Sequence, residues 1–359
     1  MKNLGQLFIH GLSGLKLTQN EKTFLKKEQI GGIILFKHNY DSPGQIAELV
    51  NEIQSIKEDL PFFIGVDQEG GRVVRFKSPF LQLPPMLKLG EINSPKLTFD
   101  LHVQVAKELS ACGINLNFSP CADILRETTS NAIGDRSFGH ESEIVSKHVT
   151  AVIRALQNNN VLACVKHFPG HGGTSKDSHF DLPYIKLSKE EFFNFDIIPF
   201  EKAIKSRVEF VMMAHLVVDF IDENNPCTLS SKAYQILRKE LKFKKIIITD
   251  DMEMKALSNR FSYGESALMA LKAGADMLCY RTMEKAQEAY EGVLASAQKG
   301  LITQTEIDEK NARIKECKIN YLKNVKPIYV PSIQDQIANT AAQDLLKILE
   351  KKGKTEAMS

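Results

Sequence analysis

Eight short apolar runs recur along the chain, and longer segments with helical spacing separate them. The runs cover residues 4–12, 30–36, 61–68, 114–124, 161–168, 209–218, 245–251 and 275–280. Most of them, such as "IGGIILF" and "KIIITDD", are continuous rather than alternating, which is typical of parallel strands buried on both faces. The intervening segments, such as "EIVSKHVTAVIRALQNNN", place apolar residues three and four apart, as amphipathic helices do. Eight β units linked mostly by helices predict an α/β fold, a (β/α)8 TIM-type barrel, with a doubly wound open sheet as the alternative.

The chain after residue 325 has a different pattern. There, "SIQDQIANTAAQDLLKILEKK" begins with Ser332 and Asp335, which resemble a helix capping box. An apolar stripe follows at Ile333, Ile337, Ala341, Leu345 and Leu349. We therefore predict one barrel domain over residues 1–325 and a C-terminal helical extension and tail over residues 326–359.

Composition narrows the classes of partner and compartment. The 359 residues are 43% apolar, and 46 basic residues nearly balance 44 acidic ones, so charge gives no reason to expect nucleic acid or a membrane as partner. The six cysteines form no CxxC pair and several lie in apolar runs, which indicates reduced thiols. No segment approaches the length of a membrane span, and the N-terminal apolar stretch is too short for a signal peptide. We expect a soluble, cytoplasmic protein.

Charged or titratable residues lie near or just beyond the ends of five consecutive runs, from the third to the seventh. They are Asp67 in "VDQEGGR", the "NAIGDRSF" segment with Arg136, the pair Lys166-His167, His215, and the pair Asp250-Asp251. In a parallel barrel the carboxyl ends of the strands gather on one face, where binding and catalytic groups lie. The pattern therefore predicts a single site at that face.

Most of these residues also have a structural interpretation. Asp67 and Arg75, on either side of a Gly-Gly turn, suit a clamp on sugar hydroxyls or an internal salt bridge. After the strand "KIIIT", we expect Asp250 to face the pocket while Asp251 caps or binds the next loop. We expect His215 to pack near the barrel mouth with its hydrogen bonds satisfied. The remaining donors, which offer no nucleophile, are Arg136, Lys166 and His167.

The segment "KHFPGHGGTSKDSHFDLP", residues 166–183, contains three histidines and cannot form a helix. A metal site would need His167 and His171 to converge with an acid such as Asp177 or Asp181, but Pro169 and Gly170 prevent the helix that would align the two rings. An acid/base pair needs less, because Asp177 lies two residues from His179 and can orient its ring and raise its pKa. A structural His-rich loop is the third alternative. We expect no metal and no cofactor.

Four motifs together resemble a known family. "KHFPGHGGTSKDSHFDLP", "GVDQEGGRVVRF", "AIGDRSFG" and "IITDDMEM" are similar to motifs of glycoside hydrolase family 3, and more narrowly to its bacterial β-N-acetylglucosaminidases of peptidoglycan recycling. The resemblance extends from about residue 5 to residue 320, with the motifs in family order.

The resemblance implies a TIM barrel and a retaining mechanism that removes terminal, non-reducing N-acetylglucosamine from peptidoglycan-derived muropeptides, in which this sugar is linked to a peptide-bearing anhydromuramic acid. It implies that Asp250 is the nucleophile and that His179, oriented by Asp177, is the general acid/base. It also implies a set of sugar-binding residues, namely Asp67, Arg75, Arg136, Lys166 and His167.

Three other functions remain open at this point. A β-glucosidase of the same family is disfavoured by the KHFPGHG and DSH motifs, which belong to the hexosaminidase branch. A phosphorylase would use phosphate instead of water to resolve the glycosyl-enzyme, and a histidine acid/base suits it because no second anion repels the phosphate. A non-catalytic sugar-binding barrel would have no need of the nucleophile and the proton donor together.

Overall fold

The computed structural model describes residues 1–126, 132–173, 182–323, 325–337 and 340–356, with the side chains of all but 354–356 of these. Asp177, His179 and Asp181, which the sequence singled out, therefore lie outside the described residues.

Eight parallel strands close into a barrel. The barrel strands are β1 (Phe8–His10), β2 (Gly32–Leu35), β3 (Phe63–Val66), β4 (Leu116–Asn117), β5 (Leu162–Phe168), β7 (Phe210–Met213), β9 (Ile246–Asp251) and β10 (Met277–Tyr280). Around the barrel they follow the order β1-β10-β9-β7-β5-β4-β3-β2. Each lies within one of the eight predicted runs, so the TIM-type barrel is confirmed. The structure adds a small parallel sheet outside the barrel, made of β6 (Tyr184–Ile185) and β8 (Val217–Val218). The sixth run thus contains two strands instead of one.

Helices surround the barrel, as the spacing of apolar residues predicted. They are α1 (Gln19–Glu28), α2 (Pro43–Ser55), α3 (Met86–Glu91), α4 (Pro95–Ala111), α5 (Ser142–Gln157), α6 (Lys189–Glu191), α7 (Ile198–Lys205), α8 (Ser231–Gln235), α9 (Lys255–Ser258), α10 (Tyr263–Ala273), α11 (Met283–Gln298), α12 (Gln304–Leu322) and α13 (Thr340–Glu356). Several begin at capping boxes, in which a Ser or Thr hydroxyl and a Glu carboxylate satisfy free N–H groups of the first turn. The pairs are Thr18 with Glu21, Ser188 with Glu191, Ser262 with Glu265 and Thr303 with Glu306.

The N-terminal end of the barrel is closed by side chains. Phe63 and Phe210, the first residues of their strands, meet edge to face with ring centroids 5.2 Å apart. The Lys318 ammonium lies 4.8 Å from the Phe63 ring centroid and donates to the Gly31 carbonyl at 2.8 Å. This packing fills the base of the barrel interior, so a site inside the barrel opens at the C-terminal ends of the strands.

The C-terminal extension differs in detail from the prediction. Helix α13 begins at Thr340, whereas Ser332 belongs to a short 3-10 turn and its hydroxyl donates to the Tyr329 carbonyl. The predicted capping box at Ser332 and Asp335 is therefore wrong, because a separate turn packs against the barrel before the helix starts. Helix α13 packs against α4 on the outside of the barrel. The domain boundary at residue 325 stays a prediction.

The cysteines and the helices bear on two further expectations. All six cysteines are free and buried, as predicted for reduced thiols. Among the described residues, no helix combines the length and the apolar character that crossing a bilayer requires.

Candidate active site

A cavity of about 490 Å³ opens at the C-terminal ends of the barrel strands, a volume typical of a small-molecule site. It brings together every predicted site residue that the structure describes, namely Asp67, Arg75, Arg136, Lys166, His167 and Asp250. These residues are far apart in sequence, and the parallel strands bring them to one face. A second cavity of about 480 Å³ lies at the opposite end, where residues preceding β1, β2 and β3 line it.

Asp67 follows β3 and is held by two cations. Its Oδ1 accepts from the Lys166 ammonium at 2.8 Å, and its Oδ2 accepts from the Arg75 guanidinium at 3.0 Å. Burial alone would raise the pKa of the Asp67 carboxyl, but Lys166 and Arg75 lower it below its ordinary value. The internal salt bridge of Asp67 and Arg75 therefore exists, and it lines the cavity. The Arg75 Nε is buried and has no hydrogen-bond partner among the described residues, so its N–H is a donor without an acceptor there.

Glu69, a buried carboxylate, was not singled out by the sequence analysis. It accepts two parallel hydrogen bonds from Arg136, at 2.9 and 2.8 Å, and its Oε1 lies 2.5 Å from the Lys166 ammonium. Burial opposes its ionisation, but Arg136 and Lys166 hold the pKa of the Glu69 carboxyl well below its usual range. Arg136 and Lys166 therefore form ion pairs with carboxylates in addition to lining the cavity. The available signal was position, because Glu69 lies two residues after Asp67 in the same turn.

Asp123 is the other residue that the sequence analysis missed. It lies in the extended segment after β4 and is fully buried, and its carboxylate accepts from the Nδ1 of His167 at 2.7 Å. The Nε2 of His167 lies 3.2 Å from Arg136, which can only donate, so Nε2 accepts and the ring proton is on Nδ1. The signal in the sequence was a lone carboxylate inside the apolar run "SPCADIL", since a buried charge needs partners.

Asp250 is the penultimate residue of β9 and faces the cavity without a direct ion pair among the described residues. Its Oδ1 accepts from the backbone N–H of Asp251 at 2.7 Å. Burial would raise the pKa of the Asp250 carboxyl, but His167, His215 and that N–H lower it, so the group is ionised near neutral pH.

The neighbours of Asp250 have structural roles, as predicted. Asp251 accepts from the backbone N–H of Glu253 at 2.9 Å and pairs with Arg281, so it binds the loop that follows β9. His215 is buried near the barrel mouth, with Nε2 donating to the Asp251 carbonyl at 2.9 Å and Nδ1 2.7 Å from the Thr228 hydroxyl. Burial lowers the pKa of the His215 imidazole.

Two backbone groups of the "KHFPGHGG" segment, at His171 and Gly172, form hydrogen bonds with the segment that follows β4. The backbone N–H of His171 donates to Asp123 at 2.7 Å, and that of Arg126 donates to the Gly172 carbonyl at 3.2 Å. Burial lowers the pKa of the His171 imidazole to about 4. A Cβ on Gly172 would overlap the carbonyl oxygen of Ile124, so only glycine fits where the two segments touch.

One group of possible metal ligands occurs in the described part of the chain. Cys121, Asp123 and His167 place their ligand atoms within 4.8 Å of one another. However, the same Asp123 oxygen accepts from the His167 ring at 2.7 Å and from the Cys121 thiol at 3.1 Å. Direct contacts of this length fit a hydrogen-bonded cluster.

Comparison with known proteins agrees with this geometry. Residues 2–317 match the glycosyl hydrolase family 3 N terminal domain. A β-hexosaminidase of Nitrosomonas eutropha is 39% identical over 282 residues, which are 77% of this chain and 80% of that protein. A β-hexosaminidase of Methylococcus capsulatus is 37% identical over 270 residues, 74% of this chain and 80% of that protein.

Solved structures give the same assignment. A glycoside hydrolase family 3 β-N-acetylglucosaminidase from Paenibacillus sp. FPU-7 superposes with a TM-score of 0.95 at 33% identity, covering 98% of this chain and 68% of that one. The β-N-acetylglucosaminidase of Thermotoga maritima superposes with a TM-score of 0.79 at 25% identity, covering 96% of this chain and 70% of that one. With its barrel, its cavity and these matches, the chain belongs to glycosyl hydrolase family 3 and is a glycoside hydrolase of the β-hexosaminidase type.

Proposed function

We propose that the chain is a retaining exo-β-N-acetylglucosaminidase in which Asp250 is the nucleophile and His179, oriented by Asp177, is the general acid/base. One observation carries the assignment of Asp250. Of the four carboxylates among the described residues that line the cavity, Asp67, Glu69 and Asp251 are held in ion pairs, whereas Asp250 has no direct cationic partner in the described part of the chain. An ionised carboxylate that is not neutralised by a neighbour is the group best prepared to attack a sugar carbon.

The chemistry runs in two steps that balance. The Asp250 carboxylate attacks C1 of the sugar, the bond from C1 to the aglycone oxygen breaks, and that oxygen takes the proton of the His179 imidazolium. Neutral His179 then removes a proton from water, which attacks C1 and releases Asp250 as a carboxylate. Because C1 is inverted twice, its configuration is retained. We assign the grip on the sugar hydroxyls to Asp67, Arg75, Arg136, Lys166 and His167.

We further propose that the natural substrates are peptidoglycan-derived muropeptides, processed in the cytoplasm. This proposal is supported by Lys37 at the mouth of the cavity. Lys37 is exposed, so its ammonium can reach an aglycone, whereas two other cations at the mouth, Arg72 and Arg281, are paired with Asp135 and Asp251. A peptide-bearing aglycone carries carboxylates, whereas a chitooligosaccharide is uncharged, and an exposed ammonium favours the former.

Turnover of paired aryl β-glycosides tests the reaction and its nucleophile. We expect strong preference for the N-acetylglucosaminide over the glucoside in phosphate-free buffer, and a loss of kcat by about 10⁴-fold or more in Asp250→Ala. Azide should restore turnover of the variant and give the α-glycosyl azide. Asp100→Ala, at a partly exposed position of α4 outside the cavity, is the control and should behave as wild type.

Two outcomes contradict the proposal. Full activity of Asp250→Ala would remove the nucleophile assignment. Turnover that requires added phosphate, with sugar 1-phosphate as the product, would identify a phosphorylase.

The aglycone is tested separately with a muropeptide and with chitobiose. We expect kcat/KM for the muropeptide to be higher and to fall with added salt, and Lys37→Met to lower it severalfold. The matched control is Lys299→Met, an exposed lysine outside the cavity. Equal values for both substrates at every salt concentration would remove the muropeptide assignment and leave the reaction unaffected.

A further inference from the structure

Asp123 contacts two functional segments at once. Its Oδ2 accepts from the Nδ1 of His167 at 2.7 Å and from the thiol of Cys121 at 3.1 Å. Its Oδ1 accepts from the backbone N–H of His171 at 2.7 Å. The backbone N–H of His167 lies 3.3 Å from both oxygens. The carboxylate is fully buried, and each of these donors belongs to β5, to the loop that follows it, or to the adjacent segment after β4.

We propose that Asp123 is a positioning residue that uses one carboxylate oxygen to fix the sugar-facing ring of His167 and the other to anchor the loop leading to Asp177 and His179. The inference rests on the proposed function, because the proposed function places the proton donor, His179, in that loop. It extends that function by making one buried carboxylate responsible for both halves of the site.

The first half concerns the orientation of the His167 ring. A neutral imidazole has one donor and one acceptor nitrogen, and its partners decide which is which. Asp123 accepts from Nδ1, so Nε2 accepts from Arg136, which is itself held by two hydrogen bonds to Glu69. Without Asp123 the His167 ring could carry its proton on Nε2. That N–H would point at a guanidinium N–H of Arg136, so two donors would face each other.

The second half concerns the root of the loop. The His171 N–H lies four residues beyond His167 and is buried, so it needs an acceptor. Asp123 supplies this acceptor at 2.7 Å. Three residues further along the same segment, the backbone N–H of Arg126 donates to the Gly172 carbonyl. The chain leaves this anchored point and reaches Asp177 five residues after Gly172. A fixed root limits the positions that the acid/base pair can reach, which is the condition for placing a proton donor over a glycosidic oxygen.

A carboxylate is needed because both oxygens must accept. An asparagine at this position would present one acceptor and one donor, so its NH₂ group would face either the Nδ1 proton of His167 or the N–H of His171. Asp123→Asn is therefore the informative variant, since it keeps the size of the side chain and breaks one of the two arms. The matched control is Asp276→Asn, which changes an equally buried, ion-paired aspartate next to the N-terminal end of β10, away from the cavity.

The experiment compares two aryl N-acetylglucosaminides, one with a dinitrophenyl leaving group that departs without a proton and one with a phenyl leaving group that needs it. We expect Asp123→Asn to lower kcat/KM for the phenyl substrate by about 100-fold and for the dinitrophenyl substrate by about 10-fold, a range typical of partners that orient a functional group. We expect Asp276→Asn to be less stable but to keep the wild-type ratio of the two rates.

An equal loss on both substrates, or no loss, would overturn the proposal, because the carboxylate would then not act through the acid/base loop. Asp250→Ala in the same assay tests the proposed function independently. If the proposed function were wrong, Asp250→Ala would stay active, and the ratio of the two rates measured for Asp123→Asn would not change.

A second pair of variants covers the case in which Asp123→Asn does not fold. His167→Asn places an amide nitrogen near the position of Nδ1 and can keep the donor to Asp123, whereas His167→Gln places its amide near Nε2 and loses that donor. We expect kcat/KM to fall severalfold further in His167→Gln than in His167→Asn on both substrates, with the ratio of the two rates near the wild-type value, because the bond from Asp123 to the His171 N–H remains in both variants. Equal losses in the two variants would contradict the proposal.

Discussion

The Lys166 ammonium lies 2.8 Å from the Oδ1 of Asp67, although 99 residues separate the two in sequence. The contact joins β5 to the turn after β3 across the mouth of the barrel. Because Lys166 also reaches Glu69, one buried cation compensates two carboxylates, that of Glu69 buried and that of Asp67 partly buried, and both acids stay ionised beside the cavity.

Removing the Lys166 charge should therefore be costly. In Lys166→Met, two carboxylates lose a buried partner, and we expect the free energy of unfolding to fall by about 3–5 kcal/mol, as when one member of a buried ion pair is removed. Urea denaturation measures it. The control is Lys96→Met, which breaks the exposed pair with Asp100 and should cost less than about 0.5 kcal/mol. Similar losses in both variants would show that Lys166 is not a compensating charge.

The two glycines at the root of the loop should respond differently to alanine. The added methyl of Gly172→Ala would overlap the Ile124 carbonyl, a backbone atom that cannot move alone, whereas that of Gly173→Ala would lie 3.2 Å from the flexible Arg126 side chain. We expect Gly172→Ala to lose stability by about 2 kcal/mol or more and most of its hydrolysis of phenyl substrates, and Gly173→Ala to stay within about 1 kcal/mol of wild type. Thermal unfolding and steady-state rates check both, and equal tolerance would contradict the close contact.

Two buried histidines should make stability fall in mild acid. His102 and His148 lie in α4 and α5, and both interact with Thr98 through Nδ1, while their Nε2 atoms have no partner among the described residues. Burial lowers the pKa of His102 to about 4, and burial together with the charges of His102 and Lys147 lowers that of His148 to about 4.

The sign follows from the direction of these shifts. Below pH 6.5 the unfolded chain takes up protons that the folded histidines refuse, so stability present above pH 6.5 is lost as the pH falls towards 4, by up to about 3 kcal/mol for each histidine. We expect His102→Asn, which cannot titrate, to lose stability less steeply between pH 6.5 and pH 4.5 than wild type does. Denaturation at pH 8 gives the baseline difference between the two proteins, and parallel curves across this range would refute the assignment.

The cysteines should be inert in the folded protein. All six are buried, and burial raises the pKa of every one of their thiols, that of Cys112 to about 12. Because the thiolate is the reactive form, we expect no reaction with a thiol reagent at pH 8 until the chain unfolds, and then six equivalents. Fast reaction of one thiol in the native protein would show that its segment opens.

The amino-acid pattern alone determined the architecture and the location of the site. Continuous apolar runs specify parallel strands because only such strands are buried on both faces, and all eight runs contain a barrel strand. Polar residues at five consecutive strand ends then had to meet, since parallel strands end on one face. Asp67, Arg75, Lys166 and Asp250 line one cavity for this reason.

Only the tertiary structure decided which charged groups form ion pairs and which carboxylate, Asp250, has no cationic partner among the described residues. Glu69 and Asp123 were not found in advance, because a carboxylate in a turn or in an apolar run gives no sign of a partner 67 or 44 residues away. The start of α13 was missed because packing against the barrel overrode a local capping pattern. Local propensity and hydrophobic periodicity depend on near neighbours in sequence, whereas ion pairing, burial and pKa depend on distances that exist only when the barrel has closed.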